Sequence, residues 1–256
     1  MKRTFLLIAA ALFALTSCTK EIKTETLKLE EEIPLHEGSD NSVTLNLDID
    51  FPVSGFSKEA LEEVRKAIRV HTLGESYVEF TGSLAELGKD WRDAIAEDYI
   101  SSNTAMLEEM EMTEDEAPFL NWEFEYKGAF GETWGQYVNY IVDQYQYLGG
   151  AHGMNGTFPF VFDKKTGEMV EWNVVAPGVS DEKMDELLLK HRLDDLKEII
   201  GDEDINEEDI FFSETIEASP WFTVDDEGMT FYYQPYDIAP YVFGIITVPV
   251  PWEELK

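Results

Sequence analysis

The chain contains a single cysteine, Cys18, close to its start, so no disulfide can hold together anything that follows it. Whatever fold the remaining residues adopt must therefore rest on an apolar core. Composition permits one: 44% of the 256 residues are hydrophobic and 13% aromatic. That length suffices for one large or two small domains with a true hydrophobic centre.

The first eighteen residues read as an export signal. Lys2 and Arg3 form a basic start, Phe5 to Leu15 an apolar run, and Thr16-Ser17-Cys18 a small-residue cleavage site. The run is too short to span a bilayer. A lone cysteine directly behind Leu15-Thr16-Ser17 is the pattern of a bacterial lipoprotein signal, in which Cys18 is acylated and becomes the new N-terminus. Two or more acyl chains make a stable anchor. The expectation is an extracytoplasmic, lipid-anchored protein of the bacterial cell envelope, facing the periplasm or the cell surface. Lys20-Glu21 places no acidic residue directly after Cys18, which favours a periplasm-facing anchor where an outer membrane exists. Residues 18–32, with Lys20, Lys23, Lys28 and Glu30-Glu31-Glu32, lack turn residues and strong periodicity and read as a tether.

Charge narrows the partners. Fifty-three acidic residues against 19 basic ones give a formal net charge of −34. Such a field repels nucleic acid and anionic lipid surfaces, and it attracts cationic proteins. The same excess is also consistent with nothing more than a solvated surface. The densest acidic run, Asp202 to Asp209, lacks the glycine and ligand spacing of an EF-hand and reads as a loop.

Periodicity predicts the elements. Val43, Leu45, Leu47, Ile49 and Phe51 alternate with polar residues, as in a half-buried strand. Ser57 is placed to cap a helix running to about Val70, and Ser83-Leu84-Ala85-Glu86 is a capping box opening a second helix toward Met110, with Trp91 on its apolar stripe. From residue 119 the period becomes two. A strand carries Trp122, Phe124 and Tyr126, Gly128 to Gly135 form a turn region, and a strand from about Gln136 to Leu148 is apolar on both faces, as a central strand would be. Phe158 to Phe162 and Met169 to Trp172 read as a hairpin turning at Gly167. A helix capped by Ser180 covers about Asp181 to Ile200, with Leu188, Leu189, Leu193, Leu196, Ile199 and Ile200 inward and His191 solvated. Three strands close the chain: Trp221 to Val224, Met229 to Gln234 and Gly244 to Val250. Helices and hairpins segregate, so the expected class is α+β, an antiparallel sheet packed with a few helices.

Two blocks stand out: Tyr147-Leu148-Gly149-Gly150-Ala151-His152-Gly153 and Tyr236-Asp237-Ile238-Ala239-Pro240-Tyr241-Val242-Phe243-Gly244. With the Phe160 to Glu168 hairpin and Val248-Pro249-Val250-Pro251-Trp252, they resemble the DUF3298 extracytoplasmic domain of unknown function found in the lysozyme-responsive anti-sigma factor RsiV and in some peptidoglycan deacetylases. The resemblance covers roughly residues 134–256, and residues 33–133 resemble the companion segment, DUF4163, as one continuous unit with it. No anti-sigma segment or deacetylase domain accompanies the domain, so neither activity carries over. The resemblance implies a binding module, with a lysozyme-like muramidase first among its ligands and a peptidoglycan or glycan fragment second.

The residues offer no enzyme signature: no HExxH, GxSxG, Walker loop or cysteine pair is present, and His36, His71, His152 and His191 are widely separated. We expect a non-catalytic protein without a metal or other cofactor; a hydrolase using a carboxylate and His152 is the remote alternative. The candidate ligand-binding residues are Gly149, Gly150, His152, Gly153, Tyr236, Asp237 and Tyr241. Each has a plainer reading. Glycines crowded around His152 imply positive φ or close backbone approach, with the imidazole bonding carbonyls to hold a bend, while Tyr236 and Asp237 suit a packed tyrosine beside a turn-capping aspartate.

Overall fold

The computed structural model describes residues 21–200 and 210–256. The signal segment, Cys18 and the acidic run 202–209 lie outside the described residues. Two sheets form the frame. The larger has the order β1-β2-β3-β4-β5, with β1 Lys23–Pro34, β2 Ser42–Ser54, β3 Trp122–Trp134, β4 Tyr137–Leu148 and β5 Met154–Asp163. The smaller comprises β6 Phe222–Val224, β7 Gly228–Tyr233 and β8 Ile246–Pro251. The α+β class holds, with one departure: β2 and β3 pair in parallel. An antiparallel partner would need only a tight turn, whereas residues 55–121 carry two helices and make the long crossover that parallel pairing requires.

Both helices begin where their caps predict. In α1, Lys58–Leu73, the Ser57 hydroxyl accepts from the Ala60 N–H, and in α2, Leu84–Met110, Ser83 and Glu86 close a reciprocal capping box. Both lie on one face of the large sheet, where Val64, Ile68, Leu87 and Trp91 meet Leu45, Leu47, Phe124, Tyr126 and Tyr140 in one core. Met106 and Met112 pack partly against that core, whereas Met110 is half exposed.

Residues 23–32 are not a tether. They belong to β1, which pairs with β2 along its whole length and buries Leu27 and Ile33. Its alternation is masked because the outward positions carry Lys28, Glu30 and Glu32 and the neighbouring Glu31 is only half buried. The turn region also contracts, since β3 runs through to Trp134 and leaves only Gly135-Gln136 to reverse the chain into β4. The 133/134 boundary thus falls inside one hairpin.

The second arm at Gly167 shrinks as well. Gly167 turns at φ 80°, but only Met169 bridges to Phe162 before the chain enters the short helix α3, Trp172–Val175. The helix after Ser180 is broken into α4, Asp181–His191, and α5, Asp194–Ile200, which pack on β8. His191 is not solvated. Its ring contacts Asp194 at 2.6 Å and Glu254 at 3.1 Å, and its side chain is only 12% exposed. Leu189, placed inward by periodicity, is partly exposed instead.

The small sheet covers the other face of the large one, but only over its first half. Tyr137 and Val161 enter the second core with Phe222, Val224, Phe231 and Val248. Between them, Asn139, almost wholly buried, donates Nδ2–H to the Val224 carbonyl at 2.8 Å and accepts the Val224 N–H at 3.0 Å. A side-chain amide here replaces a strand partner. Removing it leaves both backbone groups unpaired, so Asn139→Ala is expected to lower stability by about 2–4 kcal/mol, read as a lower urea midpoint at unchanged slope. A loss under about 0.5 kcal/mol, the range of neutral surface changes, would show that the pairing is dispensable.

At the far end of the sheet Glu114 ties down the β1–β2 turn. It accepts from Ser39 Oγ at 2.6 Å and Asn41 Nδ2 at 3.1 Å and faces His36 Nε2. Those bonds, Ser39's foremost, hold the Glu114 carboxyl below its ordinary 4.5. The Glu37 carbonyl and then Glu114 raise the His36 imidazole above 6.5. The carboxylate's contribution is lost as pH falls below 4.5 through the lowered folded value. The imidazole's is complete below 6.5 and lost as pH rises through the raised one. Glu114→Gln is expected to flatten this bell in thermal denaturation between about pH 3 and 8; an unchanged profile would refute the coupling.

Candidate functional site

The strands of the small sheet have three to six residues, against ten to thirteen in the large one. The outer face of the large sheet is therefore left uncovered toward the Leu148 end of β4. Tyr145 and Tyr147 belong to the same alternating row as Asn139 and are half buried there, with Asp143 exposed beside them. Glu125 and Glu123 stand directly opposite these tyrosines on β3.

The two sequence blocks, far apart in the chain, meet on this open half. Tyr241 donates its hydroxyl to the Gly153 carbonyl at 2.8 Å, and its ring lies 4.4 Å from that of His152 and 5.6 Å from that of Tyr236. The result is a three-ring row. What brings the segment after β7 across the gap is a second side-chain amide: Gln234 accepts the Thr157 N–H at 2.9 Å and donates to the Thr157 carbonyl at 2.6 Å. Asp237 then caps the turn by accepting the Gln234 N–H at 2.7 Å. Partial burial, followed by the negative charge of Glu123, raises the Tyr145 phenol above its ordinary value. Tyr145 accordingly remains a neutral donor at physiological pH.

The candidate residues sort by role. Gly149 sits at φ 81°, and a Cβ there would lie 1.8 Å from the Phe119 carbonyl oxygen, so only glycine fits. At Gly153 a Cβ would lie 2.3 Å from the Tyr145 ring, so a side chain there would displace that ring. Gly150 has open space and no positive φ, and nothing in the structure demands glycine there. His152 makes the carbonyl contact of its structural reading, its Nδ1 lying 2.9 Å from the Gly153 carbonyl, while its ring is exposed and lies against Tyr241. Asp237 is the turn cap, but Tyr236 is not the packed tyrosine of the plainer reading. It is 51% exposed and held at φ 75°, a conformation that costs a bulky residue about 1–3 kcal/mol.

Sequence reasoning missed Val242, Tyr145 and the groove beside them. Val242 is 82% exposed, the most exposed large apolar side chain among the described residues. It crowns the single turn Tyr241–Phe243 above a groove of about 630 Å³ lined by Asp143, Asn155, Thr157, Pro235 and Tyr241. The available signal was an apolar Tyr-Val-Phe run directly after a proline, of which only Phe243 packs against the second core. Among the described residues no cluster of three or more histidine, cysteine or carboxylate side chains is arranged to hold a metal. No helix among them is long and apolar enough to cross a membrane.

Residues 177–253 match the DUF3298 family of proteins of unknown function. The resemblance read from the sequence is supported over that stretch, which contains the Tyr236 block; the glycine block lies before it. The structure is similar to the crystal structure of a DUF3298 member from Bacteroides fragilis, with 20% identity, 92% of each chain covered and a TM-score of 0.78. It is also similar to that of a DUF3298 protein from Pseudomonas aeruginosa, with 17% identity, 93% of this chain and 94% of that one covered, and a TM-score of 0.55. At these identities the likeness concerns the fold. No functionally curated protein matches the chain.

If the Phe119 contact fixes the loop, Gly149→Ala should destabilise it, while Gly150→Ala should change stability by no more than about 0.5 kcal/mol. Amide hydrogen exchange across residues 148–154 distinguishes the two; equal protection in both variants would deny the contact its role.

Proposed function

We propose that this chain is an extracytoplasmic lipoprotein whose DUF3298-like domain is a non-catalytic receptor for a basic protein, a lysozyme-like muramidase being the first ligand to test. The observation that carries the reading is the open half-face, where Tyr145, Tyr147, Tyr236, Tyr241 and Val242 gather and Glu123, Glu125 and Asp143 surround them. An aromatic centre with a charged rim is the usual anatomy of a protein-binding patch, in which tyrosines supply most of the affinity and rim charges set encounter rate and orientation. The net charge of −34 makes a cationic partner the complementary one. The polar-walled groove below Val242 supports a second reading, a glycan fragment stacked on Tyr241 and bonded by Asp143, Asn155 and Thr157.

Calorimetry separates these readings. The soluble chain must start before β1, because removing residues 23–34 would delete the buried Leu27 and Ile33 and leave β2 without its antiparallel partner. With a basic lysozyme at about 50 and 300 mM salt, we expect saturable 1:1 binding that weakens at the higher salt and survives it. Tyr241→Ala and Val242→Ala should each weaken binding by about tenfold or more, as central hot-spot truncations do. Salt-abolished association, or none, would remove the protein ligand; saturable heat with soluble peptidoglycan fragments would then support the glycan.

A further inference from the structure

The two ends of the large sheet differ in what they present. At one end lie Lys23 of β1, Ser54 of β2, Trp134 of β3, Tyr137 of β4 and Asp163 of β5, since β2 and β3 run in parallel and the other neighbours are antiparallel. At the other lie Pro34, Ser42, Trp122, Leu148 and Met154, with the Gly149 to Gly153 loop beyond them. The described chain enters at the first end, where Ile22 packs against Gly55 so closely that a Cβ there would lie 2.8 Å from the Ile22 Cα. Four residue steps separate Ile22 from Cys18, a covalent reach of at most ~14 Å. The site end is much farther away: twelve residues of β4 span ~40 Å.

We infer that the anchored domain stands with the Ile22–Gly55 end on the bilayer and carries the Tyr236–Tyr241–His152 face outward, at its far end. This rests on the reading of Cys18 as the lipid attachment. With residues 23–32 taken up in β1, the ~14 Å reach between Cys18 and Ile22 is all the chain the domain has to turn on. Both ends are acidic, the far one through Glu30, Glu32, Asp115 and Glu116 and the near one through Glu25, Glu59, Asp163 and Glu168 beside Lys23, Lys58 and Lys165, so the orientation rests on the reach of the chain. A partner is therefore met from the bulk phase and is not drawn between protein and membrane.

The test uses the chain from residue 19 with an N-terminal hexahistidine tag bound to nickel-chelating lipid in phosphatidylglycerol vesicles, which imposes the attachment regardless of acylation in the cell. A single cysteine carrying a donor dye is introduced as Lys165→Cys at the near end or Asn155→Cys at the far end, both exposed positions. Energy transfer to a headgroup acceptor is then measured. We expect strong transfer from position 165 and loss of most of it at position 155. Equal transfer from both, or the reverse order, would overturn the orientation. Failure of a full-length chain to incorporate labelled fatty acid would instead sink the anchor reading, leaving the geometric result intact.

Discussion

Two side-chain amides hold this molecule's halves together. Asn139 and Gln234 each satisfy both the N–H and the C=O of a single residue in the opposing sheet, Val224 and Thr157 respectively. Val224, wholly buried, would otherwise carry its backbone groups away from water without partners, and Thr157, on the edge strand β5, would leave its own unpaired. The first clasp sets where the small sheet sits. The second sets where the segment following it crosses the uncovered half. Everything proposed about the site depends on that crossing, since it delivers Tyr236, Tyr241 and Val242 to Tyr145 and His152.

The site thus arises from a mismatch in strand length. Short strands in the small sheet cannot cover a large sheet of ten to thirteen residues per strand, so the outer face divides into a buried part and an open part. Along β4 the change is visible in consecutive outward residues: Tyr137 and Asn139 are buried, Ile141 is intermediate and Asp143 is exposed. Tyrosine suits the open part because it is tolerated half buried, with an apolar ring and a polar tip.

Much of this was legible in the sequence where local chemistry decides the outcome. Ser57, Ser83 and Ser180 cap helices because their hydroxyls have no better partner than the first free N–H groups, and that requires no knowledge of the rest of the fold. β2 was legible because one face is buried and the other is not. β1 was not, since an edge strand with lysine and glutamate outward resembles a charged linker. The parallel pairing of β2 with β3, the placement of His191 beside Glu254 and the contact between the two motif blocks all depend on residues distant in sequence, for which periodicity carries no signal. The candidate residues came from both blocks, but neither the contact between the blocks nor the groove beside it could be read from either alone.

The contact between Gly149 and Phe119 also has a mechanical meaning. Phe119 lies on the short stretch joining α2 to β3, and α2 is a strut as long as the sheet. A glycine seated against that carbonyl gives the loop no slack in this direction. Any ligand that shifts residues 149–153 must therefore displace the Phe119 carbonyl, three residues before β3 begins, and so the end of the strand on which Glu123 and Glu125 stand.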